Sequence, residues 1–195
     1  MTYLHAAEAA ELAIEVGEVG QACYRLMAER TRYPRIRALL LEMVQEEQAH
    51  CAVWEALCDS QVDARIQSEE EWQEYRQYVR AAARSILPYA PERILATAEQ
   101  AHSEGDVIGI AKELAERIAR FAGTLCGTAS LNGCKSMAER IVMDKESRLR
   151  DLSSMLWSTP PEQRRSAARS RAVLGVALSA QERELSPIAE RVASD

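Results

Sequence analysis

The chain has 195 residues, enough for one domain with a sizeable core or for a domain with appended helices. Apolar residues make up 47 % and aromatics only 5 %, with 8 Gly and 6 Pro, a composition that favours a helical bundle over a sheet protein. The formal charge of −6 argues against a nucleic-acid binder, which carries a basic footprint, and no run reaches the roughly 18 apolar residues of a membrane span.

Met1 to Glu8 shows no basic segment followed by an apolar run, so no secretory signal is expected and a cytoplasmic protein is the default. The five cysteines, at positions 23, 51, 58, 126 and 134, are odd in number and scattered, which fits reduced thiols better than a disulfide framework.

In chain order, Ala9, Leu12, Ala13, Val16, Val19, Gly20, Cys23, Leu26 and Met27 follow a helical period and predict a first helix from about His5 to Arg30. Thr31 to Pro34 closes it, and Pro34 suits the first turn of a second helix running to about Cys58. Together they predict an antiparallel hairpin. A charged helix is expected from about Ser68, with Trp72, Tyr75, Tyr78, Val79 and Ile86 on its apolar side, followed by a short helix over Glu92 to His102. Gly105 reads as a stop signal and Asp106 as the cap of a long helix reaching about Ala129, with Ile110, Leu114, Ile118, Phe121 and Leu125 on its apolar positions. After a turn at Ser130 to Gly133, a helix from Cys134 to Trp157 completes a second hairpin. Thr159-Pro-Pro161 then introduces a tail with Arg164, Arg165, Arg169 and Arg171, read as a solvated face.

The chemistry sits in the second helix. Leu39, Leu40, Met43, Val44, Glu47 and His50 recur at three- and four-residue intervals, which turns a carboxylate and an imidazole toward the core side. Side chains three apart on a helix lie about 5–6 Å apart at Cβ, so the two are spaced to share one metal ion. His5 and His102 are lone histidines at element ends and are assigned no role; Trp54, Trp72 and Trp157 read as core or interface anchors.

Tyr24, the link Ala28-Glu-Arg-Thr-Arg-Tyr-Pro34, Leu39-Leu40 and Glu46-Glu47-x-x-His50 resemble the rubrerythrin-like branch of the ferritin-like superfamily over residues 10 to 58, and the second hairpin looks like a weaker copy of the first. The resemblance implies an all-α, ferritin-like four-helix bundle of two antiparallel hairpins with connecting helices over 1–158, and a C-terminal helical extension over 159–195. It also implies one or two iron ions, or another divalent metal, held by a carboxylate from the first helix of each hairpin and a Glu-x-x-His from the second, with oxygen or peroxide as the small molecule handled. Carboxylates with imidazoles suit an ion that changes oxidation state.

Carried over residue by residue, Glu47 and His50 are kept, whereas counts from Glu47 and from Tyr24 both land on Gly17 where the first carboxylate belongs. In the second hairpin Glu146 is kept, Leu149 stands at the histidine position, and Glu116 or Glu113 supplies the first-helix carboxylate. The expected ligands are therefore Glu47, His50, Glu113, Glu116 and Glu146, with Arg120, Arg117 or Arg148 available to neutralise the cluster if no metal binds. The Cys-x-x-Cys pairs of full-length rubrerythrins are absent. Two readings follow: an iron-dependent oxidoreductase or iron- and peroxide-handling protein with an incomplete site, or a degenerate bundle without a di-iron centre that serves as a binding or assembly module, for itself as a homodimer or for another cofactor.

Overall fold

A computed structural model describes residues 6–61, 91–128 and 132–174, and all the elements among them are helical. They are α1 (Ala6–Arg30), α2 (Pro34–Gln61), α3 (Pro91–Glu99), α4 (Glu104–Thr128), α5 (Asn132–Trp157) and α6 (161–174). The charged helix expected from Ser68, with Trp72, lies outside the described residues. No helix among them is long and apolar enough to cross a membrane.

Helices α1 and α2 run antiparallel along each other, as do α4 and α5. The first turnaround takes three residues, and Arg37 fastens it by donating from Nε to the Ala28 carbonyl at 2.9 Å. That bond satisfies one of the carbonyls left open at the end of α1. The two hairpins share one core. Met27, Tyr24 and Cys23 from α1, Leu40 and Met43 from α2, Ile108, Leu114 and Leu125 from α4 and Cys134, Ala138 and Leu152 from α5 all meet in it.

The start of α4 differs from the sequence expectation. Ser103, not Asp106, is the cap: its Oγ accepts from the Asp106 N–H at 3.1 Å while Asp106 Oδ2 accepts from the Ser103 N–H at 3.0 Å, a reciprocal capping box. Gly105 is not a stop but a first-turn residue of α4, where α6 comes closest. A Cβ at Gly105 or at Gly109 would run into the backbone of Gln163 or Ala167, so the four-residue glycine spacing lets two helices touch. Around this contact Gly105 N–H donates to Gln163 Oε1 at 3.0 Å, and the Ser166 and Ser170 hydroxyls donate to Asp106 Oδ1 at 2.5 and 2.7 Å. The tail helix is thus docked on the second hairpin.

Candidate functional site

On α2 the stripe Leu39, Leu40, Met43, Val44, Glu47, His50, Cys51 and Trp54 is buried throughout, with Glu47 at 1 % and His50 at 4 % exposure. Both polar side chains therefore face the packed interior. What makes room for them is the glycine pair opposite. A Cβ on Gly20 would stand 3.2 Å from Glu47 Oε1 and 3.3 Å from Ile118 Cδ1, and one on Gly17 would come 2.5 Å from Cys51 Sγ. The space that side chains at Gly17 and Gly20 would fill is taken up by the Cys51 thiol and the Glu47 side chain.

A buried carboxylate needs a counter-charge, because an unpaired ion in the interior costs several kcal/mol. Here the counter-charge is Lys145 of α5, fully buried, whose Nζ lies 2.6 Å from Glu47 Oε1 and 5.7 Å from the centroid of the Tyr24 ring. The approach lies off the hydrogen-bond direction, so the contact is an ion pair held by charge and by the aromatic face. Burial alone raises the pKa of Glu47, but the Lys145 ammonium outweighs it and holds the carboxyl below its ordinary value.

His50 is oriented from outside. Its Nε2 lies 3.0 Å from Asp144 Oδ2, and since a carboxylate only accepts, that nitrogen carries the proton. Asp144 is in turn 3.8 Å from Arg140, so charge runs outward along α5. The inner nitrogen, Nδ1, is 3.5 Å from Glu47 Oε2 and makes no hydrogen bond. Cys51, one residue on, donates from Sγ toward the Ile14 carbonyl at 3.7 Å, and its thiol is pushed up to about 12, by burial first and by the Glu47 charge second. An acid that weak is not a reactive thiol at neutral pH.

Of the five expected ligands, Glu47 and His50 come together and the other three do not join them. Glu146 is exposed on α5. Glu113 and Glu116 lie on the side of α4 that meets α6: Arg117 Nε donates to Glu113 Oε1 at 2.9 Å, and Arg171 Nη2 sits 2.6 Å from Glu116 Oε2 and 3.6 Å from Glu113 Oε2. Arg120, at 3.9 Å from Glu113 Oε1, adds to the neutralisation, while Arg148 serves Glu46 and Glu42 instead. From α4 the side chain that reaches the Gly20 position beside Glu47 is apolar, Ile118. Asp144 and Lys145, which the sequence resemblance passes over in favour of Glu146, are α5 residues that face the pair.

This donor set does not fit two iron ions. Among the described residues one carboxylate and one imidazole nitrogen face each other here, and the carboxylate already holds a cation. Among the described residues no group of three or more His, Cys, Asp or Glu side chains is placed to surround a metal. Compared with family models, curated proteins and solved structures, the chain has no match.

Proposed function

We propose that this chain is a ferritin-like four-helix bundle without a working di-iron centre, and that it serves as a binding or assembly module. The fold part of the reading is supported by the two antiparallel hairpins and by the inward Glu47-x-x-His50 pair on the second helix. One observation carries the functional part: Glu113 and Glu116, the carboxylates a metal pair would need from α4, are turned to α6 and bound by Arg117 and Arg171. With Glu146 in solvent and Gly17 opposite Glu47, too few anionic donors remain among the described residues to balance two divalent ions and activate oxygen or peroxide between them.

The test is metal analysis of protein produced in iron-supplemented medium, side by side with His50→Ala, together with sizing by light scattering. The reading expects transition metal far below one ion per chain in both proteins, and no oxidation of ferrous iron above the uncatalysed rate. One to two irons per chain, lost in His50→Ala, would restore the oxidoreductase reading. A strictly monomeric protein would remove self-assembly from the proposal and leave a partner or an organic ligand as the object bound.

A further inference from the structure

We infer that Lys145 is the built-in cation of a half-formed divalent-metal site, keeping closed a position that Glu47 Oε2 and His50 Nδ1 could otherwise offer to a first-row ion. The inference rests on the reading above and deepens it by naming what took the place of the metal.

The half-site has the geometry of a coordination edge. Bonds of about 2.1 Å to oxygen and nitrogen put neighbouring ligands of a tetrahedral ion about 3.4 Å apart, and Glu47 Oε2 stands 3.5 Å from His50 Nδ1. His50 Nδ1 is buried with no hydrogen-bond partner, an orphan that a native interior rarely tolerates without use. Its other nitrogen is fixed by Asp144, the carboxylate–histidine arrangement that orients metal-ligating imidazoles and raises their basicity. Around this edge Gly17 and Gly20 on α1 have no side chains, Ile118 of α4 is apolar, and the Cys51 thiol is turned to the Ile14 carbonyl. Among the described residues it is α5 that lies against the other oxygen of Glu47, and there the chain presents an ammonium in direct contact with it. A monovalent cation tethered to the fold neutralises the carboxylate permanently and repels a free divalent ion. The imidazole nitrogen sets the class of ion excluded as borderline, Co²⁺ or Zn²⁺ before Mg²⁺ or Ca²⁺.

Replacing the ammonium by a donor should therefore open the site. The experiment compares the natural protein with Lys145→Glu and Lys145→His by equilibrium dialysis against Co²⁺, visible absorption of the bound ion, and thermal unfolding with and without Co²⁺. The natural protein should take up none. Both variants should bind one Co²⁺ per chain, with visible ligand-field bands and a melting temperature raised by about 5–10 °C at a hundredfold excess over the dissociation constant. Adding His50→Ala to either variant should abolish uptake. If a variant folds only when Co²⁺ is present, recovery of helical circular dichroism on adding the ion is the same positive result. Variants that bind no Co²⁺ and are not rescued by it would overturn the inference while leaving the proposed function standing. Stoichiometric binding by the natural protein, lost in His50→Ala, would overturn both.

Discussion

Arg171 of α6 reaches back to α4 and sets its Nη2 2.6 Å from Glu116 Oε2, so the tail helix supplies the cation for an acidic site on the second hairpin. Both side chains keep about a third of their surface in water, and an ion pair of that kind is worth about 0.5–1 kcal/mol after screening. Arg171→Ala should lower the urea midpoint by that modest amount and speed tryptic cleavage at Arg164 and Arg165, because the helix holding those sites is less firmly docked. Cleavage at the natural rate would mean that the pair does not hold the helix.

Glycine spacing makes a sharper test of the same docking. Gly123 lies exposed in α4 with nothing within 4 Å of a built Cβ, so Gly123→Ala should stabilise by about 0.5–1 kcal/mol through helix propensity and the unfolded chain's entropy. Gly109→Ala gains the same propensity but drives a methyl into the Ala167 carbonyl, and backbone cannot step aside as a side-chain end can. Its net effect should be destabilising by about 1–3 kcal/mol, the usual cost of overpacking, with faster hydrogen exchange in 161–174. Two alanines that shift the melting temperature in the same direction would contradict the close approach of α4 and α6.

Much of this arrangement can be read from the residues, and where it cannot the reason is physical. The α2 stripe from Leu39 through Glu47 to His50 has an unbroken helical period, so its inward face is legible, and both polar groups are buried. Pro34 at a first turn and the long apolar runs likewise set the hairpins. Glu113 and Glu116 are different. They lie with Lys112, Arg117 and Arg120 on the polar side of α4, which periodicity reads as facing water and which α6 in fact meets through Arg171. On α5 the resemblance points to Glu146 and Leu149, while the packing places Lys145 in line with Ala138, Ile141 and Leu152, a shift of one residue and about 100°. A lysine inside that stripe is the signal available in the sequence, and it outranks the register because a buried ammonium demands an anion.

Asp106 links the α4 cap to α6 and should make docking acid-sensitive. Partial burial raises its pKa, but the hydroxyls of Ser166, Ser170 and Ser103 and the Ser103 N–H outweigh that and hold it at about 2, against an ordinary 3.8. A depressed pKa means stability present above the ordinary value and lost as pH falls through the folded one, hence between about pH 4 and pH 2. In that window the Trp157 share of the tryptophan fluorescence, from a ring beneath Arg164, should change as α6 loosens. Asp106→Asn keeps the shape but weakens the charge-assisted bonds. It should cost about 1 kcal/mol at neutral pH and remove this part of the acid transition; an unchanged transition in Asp106→Asn would assign it to other groups.

The buried pair offers the last test, since its two halves are worth little apart. Removing one partner of a buried ion pair strands the other, so Glu47→Gln and Lys145→Met should each destabilise by about 3–5 kcal/mol, whereas the double variant, neutral and of similar volume, should recover most of that loss. The pH dependence separates charge from packing. The Glu47 carboxyl is held below its ordinary 4.5, so its contribution is present above that value and fades as pH falls below it. The natural protein should lose stability through that range, Glu47→Gln and the double variant should not, and Lys145→Met, with the carboxylate stranded, should become more stable as acid protonates it. Denaturant melts of the four proteins at pH 7 and pH 4 check all of this. Single losses that simply add in the double variant would mean that Glu47 and Lys145 do not compensate each other.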